Sequence, residues 1–311
     1  MEVSPSPSRG FNCRPQSHPC PLDRKAYLLI VPLIAVLALV EAYPLAYSVY
    51  LSVTNYSAGG AFVGLSNYAR LFSQADFWAA LSTSVVFSSG STLLSVILGV
   101  LFAYLLTLVR KGRGFFEAVF LMPLAAAPIV AGVAFAPSGF WDDINTFWHY
   151  ILGQPYFNVA ANHFYLFIMV LSDSWEWGPM MMLVALSVLA SVPRPVYEAS
   201  ESFGASRWKT FRTVGLPAIM NSPVMHFMII IRFVDAMRAF EIPFAWAGWL
   251  NYLYPGAPTD TLSLYLFKLL LVPPNGVIPI PLISAAALVL LVVTLVATTL
   301  LFRLMRGLRK I

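Results

Sequence analysis

The sequence predicts an all-α polytopic membrane protein with about six transmembrane helices, and three observations carry that prediction. Of 311 residues, 59% are hydrophobic and only 11% are charged, with a mean hydropathy of +0.75, whereas a soluble domain carries about 25% charge. The apolar residues gather in runs long enough to cross a ~30 Å hydrocarbon core. The cations gather between alternate runs.

Taken in chain order, residues 1–24 form a Pro/Ser-rich cytoplasmic tail that is expected to be disordered. Cys13 and Cys20 flank His18, so a disulfide or a metal site is conceivable, but the spacing matches no strong zinc pattern and no metal is expected. The tail has no apolar core of a signal peptide, and the first apolar run is too long to be one; the first helix is expected to be retained. Residues 25–311 form the transmembrane domain, with spans at about 27–52, 81–109, 115–136, 164–190, 218–246 and 279–302. Pro44, Pro128 and Pro179 fall inside these spans and predict kinks, which neighbouring helices make tolerable in a bilayer.

Orientation follows from Lys and Arg. The tail (Arg9, Arg14, Arg24, Lys25), the second-to-third connection (Arg110, Lys111, Arg113), the fourth-to-fifth connection (Arg194, Arg207, Lys209, Arg212) and the carboxyl end (Arg303, Arg306, Arg309, Lys310) hold fifteen of the nineteen cations. The opposite connections hold Arg70 and Lys268 alone, and Arg232 and Arg238 sit within the fifth span. Both termini are therefore expected in the cytoplasm. The pI near 9.2 is a signal of topology, and nucleic acid is excluded as a partner. The external connections, about 53–80, 137–163 and 247–278, are rich in Tyr, Trp and Phe; these read as interfacial anchors and, compatibly, as a landing surface for an external partner.

Several chemistries are missing. No Gly-Lys-Ser or Gly-Lys-Thr occurs, so no P-loop of the usual kind can form. Zincin, Cys-x-x-Cys and Gly-x-Ser-x-Gly patterns are absent too, and no catalytic residue is assigned.

The most polar long stretch between apolar blocks is EASESFGASRWKTFRTVGLP, residues 198–217. Pro193 and Pro195 stop the fourth span, and 196–201 reads as a short helix with its acids in the first turns, favourable to the helix dipole. Gly204 permits a positive φ or a close backbone approach. Trp208, Phe211 and Val214 recur at i, i+3 and i+6 as the apolar stripe of a second short helix, with Lys209 and Arg212 on its polar side. Leu216 and Pro217 close it and start the fifth span. Such a hairpin either lies on lipid or serves as a handle for another protein.

Depth picks out a second group. At ~1.5 Å per residue from the cytoplasmic ends, Trp177 and Asp173 lie roughly 20 and 26 Å up the fourth span. Arg232, Asp235 and Arg238 lie roughly 21, 26 and 30 Å up the fifth on the same count. Charges at that depth cost at least ~2.5–3.5 kcal/mol each, so they must face protein or a wet cavity. Arg232, Asp235, Arg238 and Glu241 alternate in sign at i+3, which predicts an ionic stitch, Arg232 with Asp235 above all.

Glu-Ala-Ser at 198–200, Gly204 and the closing Val-Gly-Leu-Pro resemble the EAA loop of ABC importer permeases, with Ser200, Phe203 and Val214 as mild departures. YPLAYSVYLSVTNY, FVGLSNYARLF, KGRGFFEAVFLMPLAAAPIVAG and RFVDAMRAFEIPFAW extend the likeness over most of the chain, and they are similar to the first permease subunit of maltose-type carbohydrate-uptake systems. The resemblance implies an inner-membrane (plasma membrane) permease of the type I importer fold, with no enzymatic activity of its own. It implies a second permease as heterodimer partner, a cytoplasmic ATPase dimer that binds ATP and Mg, and an external solute-binding protein. It implies a coupling loop at about 191–217, with Glu198, Ala199, Ser200, Gly204, Leu216 and Pro217 as its marked positions. Asp173, Glu176, Trp177, Asp235 and Arg238 become candidates for the solute path, because a sugar wants carboxylates for its hydroxyls and an aromatic face for its C–H surface. The solute class is a sugar or, alternatively, glycerol phosphate or another polyol; an ATP-independent channel or receptor is the reading from another class.

Overall fold

The structure is a computed structural model and describes residues 24–55, 60–136, 140–155, 164–249, 259–273 and 276–308. The tail with Cys13, His18 and Cys20 lies outside the described residues, and so does much of the third external connection. The chain divides into two compact units, Met1–Tyr47 and Ser48–Ile311.

The first helical run starts as α1 (Arg24–Leu37), widens to a π turn at Ala38–Ala42 and continues as α2 (Tyr43–Ser52). The π turn precedes Pro44, which has no N–H to bond the carbonyl four residues back and whose ring would collide with it; a wider turn relieves both. The predicted kink is thus a local change of pitch. A hairpin of β1 (Thr54–Asn55) and β2 (Ala61–Phe62) follows, with Thr54 opposite Phe62. Next comes α3 (Ser66–Phe72), tied back by Asn67, whose Nδ2 donates to the carbonyls of Ser52 at 2.8 Å and Thr54 at 3.1 Å.

α4 (Ala75–Leu108) is a single 34-residue helix, about 51 Å long, and starts six residues earlier than the hydropathy predicts. Asp76 in its first turn favours that early start through the helix dipole. After Gly112 at φ +71°, α5 (Arg113–Leu121) runs into a 3₁₀ turn at Met122–Ala125 and then α6 (Pro128–Phe135), bent by 95°. The kink expected at Pro128 is a full break, because Ala127, the residue before the proline, is forced extended. α7 (Phe140–Leu152) lies in the connection between the third and fourth spans.

α8 (Tyr165–Ser191) passes through Pro179 without interruption and turns by 78° into α9 (Arg194–Ser202). Then follow α10 (Arg207–Thr210), a π turn at Phe211–Gly215, α11 (Leu216–Met220) and α12 (Pro223–Met237). α13 (Glu241–Trp249), α14 (Leu262–Leu271) and α15 (Ile280–Leu308) complete the chain. Among the described residues three helices are long and apolar enough to cross a membrane, or up to six if each of three bent pairs is one span.

α4 and α8 form the central seam of the second unit. Ser84, Ser88, Ser91 and Ser95 of α4 are buried at helical spacing, and small side chains let helices approach closely where lipid gives no hydrophobic drive. At Gly99 the approach is closest: a Cβ there would stand 2.7 Å from the backbone of Met181 and Met182. A second close contact joins α6 to α13, where a Cβ on Gly132 would stand 2.9 Å from that of Ala245. Lys268, one of the two cations in the external connections, is buried and pairs with Asp260.

Candidate functional site

A cavity of about 370 Å³ opens between α6, α8 and the junction of α12 with α13. That volume is within the range of small-molecule sites, roughly 300–1,000 Å³. Its walls include Asp173, Glu176, Trp177, Asp235 and Arg238, the five candidates for the solute path, with Pro128, Ala239, Phe240, Glu241 and Ile242. α8 supplies Asp173, Glu176 and Trp177 at i, i+3 and i+4, hence on one face. The other wall exists because the fifth span breaks: α12 ends at Met237, Arg238 caps it at φ −100°, and α13 starts at Glu241. Irregular backbone at membrane depth is tolerated where it lines a cavity.

Behind the wall lies Arg232, with 0% of its surface exposed. Its Nη1 donates to Asp235 Oδ2 at 3.2 Å and its Nη2 to Ser91 Oγ at 2.5 Å. The same Nη2 donates to Asp173 Oδ2, which also accepts from Ser91. The guanidinium stands 4.8 Å over the Trp177 ring. The ionic stitch predicted within the fifth span is therefore present and larger than predicted, since it joins α12 to α8 and α4. Each carboxylate of the pair, Asp173 and Asp235, gives one oxygen to Arg232, and Arg238 lies 4.0 Å from Asp235. Glu176 differs: it is 7% exposed, and its Oε2 has no hydrogen-bond partner among the described residues.

Sequence reasoning missed Ser91 in the stitch and Pro128 and Phe240 in the wall. Serine is common on packed membrane helices, so Ser91 carries no signal of its own. The broken α12–α13 junction that exposes Phe240 does carry a signal, which sequence reasoning passed over: Pro243, in the first turn of α13, has no N–H to bond the carbonyl of Ala239 and so cannot continue the helix from α12.

The second candidate region is the hairpin. α9 starts at Arg194, earlier than the expected 196–201, so no acid falls in its first turn; Glu198 sits a turn further in, which corrects the dipole argument. Gly204 adopts φ +73° with open space around its missing Cβ. Of its two possible reasons, positive φ is the one this chain requires. Ser206 caps α10 by accepting from the Lys209 N–H at 3.2 Å. Ser200 and Thr210 bring their hydroxyls to 2.5 Å and join the two arms, while Tyr197 Oη donates to the Leu189 carbonyl at 3.2 Å and ties the hairpin to α8.

The π turn shifts the apolar register. Beside Thr210, the buried positions are Phe211, Gly215 and Ile219, spaced by four rather than by the expected three, and Phe211 packs on Tyr104 with ring centroids 4.5 Å apart. Trp208 stays 54% exposed and Phe203 91% exposed. Glu198 and Ala199 are exposed as well, and Glu198 has no ion pair among the described residues. Leu216 and Pro217 open α11 directly after the π turn, and, as at Pro44, the wider turn before the proline accommodates its missing N–H and its ring.

A family model described as binding-protein-dependent transport system inner membrane component matches residues 95–310. The trehalose/maltose transport system permease protein MalF of Thermococcus litoralis is 30% identical over 253 residues, covering 78% of this chain and 82% of that protein. The sn-glycerol-3-phosphate transport system permease protein UgpA of Yersinia pestis is 27% identical over 271 residues, 85% of each chain. Among solved structures, a bacterial ABC transporter involved in import of the acidic polysaccharide alginate superposes with TM-score 0.72 at 20% identity, covering 90% of this chain and 94% of its own. That last likeness concerns the fold.

Proposed function

Because the chain belongs to the family of binding-protein-dependent transport system inner membrane components, it is a permease subunit of an ABC importer, and we propose that its solute is a sugar or sugar-like polyol. The carrying observation is the cavity, where an unpartnered carboxylate oxygen of Glu176 stands beside Trp177 and Arg238. Carboxylate acceptors suit hydroxyl donors, and an indole face suits the C–H surface of a pyranose ring. Relatives named for trehalose and maltose transport support the same class. Glycerol phosphate is the second reading, favoured by the relatives named for it.

Energy enters through the hairpin 198–217. Exposed Glu198, Phe203 and Trp208 form the face that docks in a cleft of a cytoplasmic ATPase dimer, which binds ATP and Mg on its own chains, with Glu198 opposite a cation there. A second permease completes the path as a heterodimer, a solute-binding protein delivers from outside, and both termini lie in the cytoplasm. Uptake of labelled solute by cells expressing the whole system tests the cavity. Trp177→Ala should raise KM about tenfold, which corresponds to about 1.4 kcal/mol, with membrane level and ATPase co-purification unchanged. Unaltered affinity and rate would move the site to the partner permease.

A further inference from the structure

The charge on the cavity goes beyond its shape. Four carboxylates face it, those of Asp173, Glu176, Asp235 and Glu241. Two guanidiniums answer them: Arg238 in the wall and Arg232 behind it, fully buried and turned toward Asp173 and Asp235. The formal excess is two negative charges. Arg238 lies 4.0 Å from Asp235, so the cation in the wall is itself partly answered. Glu176 and Glu241 have no ion pair among the described residues; Glu176 is more than nine-tenths buried, with its Oε2 unpartnered. No three of these carboxylates, nor any other three His, Cys, Asp or Glu side chains among the described residues, stand close enough together to hold a metal ion.

We infer that this cavity rejects anionic solutes and takes an uncharged polyhydroxyl one, with Glu176 and Glu241 as the residues that set the selection. The inference rests on the cavity being the solute path. An anion would enter against the excess charge in a site where low-dielectric walls focus the field, and the cation in the wall, Arg238, already stands beside Asp235. A neutral sugar meets no such barrier, and its hydroxyls supply the donor that Glu176 Oε2 lacks. Among the solutes named for the relatives, this separates trehalose and maltose from glycerol phosphate. The discrimination arises through repulsion of the wrong solute as much as attraction of the right one.

Charged thiol reagents measure the sign directly. Ala239 lines the cavity, so Ala239→Cys is made with Cys13 and Cys20 changed to Ser, in the complete transporter in membranes; Phe240→Cys serves if Ala239→Cys does not assemble. Reaction is followed with 2-(trimethylammonium)ethyl and 2-sulfonatoethyl methanethiosulfonate, each rate divided by that with a free thiol. Any effect of the field on the thiolate cancels in the ratio. The cationic reagent should be faster by at least about tenfold, and adding Glu176→Gln with Glu241→Gln should bring the ratio close to one. A ratio of one or less before those changes overturns the inference. Saturating trehalose or maltose should slow both reagents while sn-glycerol 3-phosphate does not; protection by the phosphate alone also overturns it. A cationic preference with no protection by any of the three supports the charge assignment and counts against the solute path.

Discussion

At the scale of the residue, Asp173 and Glu176 lie one helical turn apart on α8 and differ in what they do. Asp173 holds Arg232, whose side chain is fully buried, so Asp173→Ala leaves a guanidinium with Asp235 as its one remaining carboxylate. Breaking a buried pair from one side costs about 3–5 kcal/mol, whereas replacing both partners by apolar groups is often neutral. Asp173→Ala should therefore lower the thermal unfolding temperature of the purified subunit and its yield, and adding Arg232→Met should restore both. If the single variant is as stable as the parent, the stitch does not hold α8 to α12. Glu176→Gln removes a buried charge that holds no partner and should not lower the unfolding temperature, while altering uptake. Asp173, Asp235 and Arg238 were legible in the sequence because charges at membrane depth are rare and helical rise fixes their level, and Glu176 and Trp177 follow as neighbours of Asp173 on one face of the fourth span. Which of them holds Arg232 was not legible, since that depends on how α8 and α12 rotate against each other, and periodicity says nothing of rotation between helices.

At the scale of the element, the hairpin turns on Gly204. Its φ of +73° is costly for a residue with a Cβ, about 1–2 kcal/mol, and more for a β-branched one, while Asn tolerates that region. Gly204→Val should abolish most uptake and Gly204→Asn should keep most of it, both measured at equal membrane level; the reverse order would remove positive φ as the reason for glycine. Glu198→Lys reverses an exposed charge and should cut uptake about as far without loss of the folded subunit. The elements themselves were read unevenly. The six spans follow from hydropathy, and the hairpin's two arms from Pro193, Gly204 and Pro217. The 95° break before Pro128 and the passage of α8 straight through Pro179 were beyond sequence, because a membrane proline breaks or bends its helix according to what its neighbours can hydrogen-bond. The π turn at Phe211–Gly215 escaped for a related reason: only packing of Phe211 on Tyr104 shows that the stripe runs by fours.

At the scale of the whole molecule, the charge asymmetry predicts which side each connection faces. Cysteines placed at Gly112 and Ser206 should react only with reagents that cross the membrane, and those at Ser73 and Phe62 with impermeant ones; all four positions are exposed. Thr259, in the connection 247–278, is buried and would give no signal. Reversal at any one of the four would contradict the six-span topology. The family and its importer fold were legible from the loop pattern and the segments around it, while the solute was not, because it is read by a few side chains whose juxtaposition only the fold creates. The most direct measurement is solute accumulation in proteoliposomes that hold this chain, its partner permease and the ATPase, with the binding protein on the external side. Accumulation above the external concentration should require MgATP on the ATPase side and should vanish with Glu198→Lys. Equal entry with and without MgATP, stopping at the external concentration, would contradict the account and make the protein a passive channel.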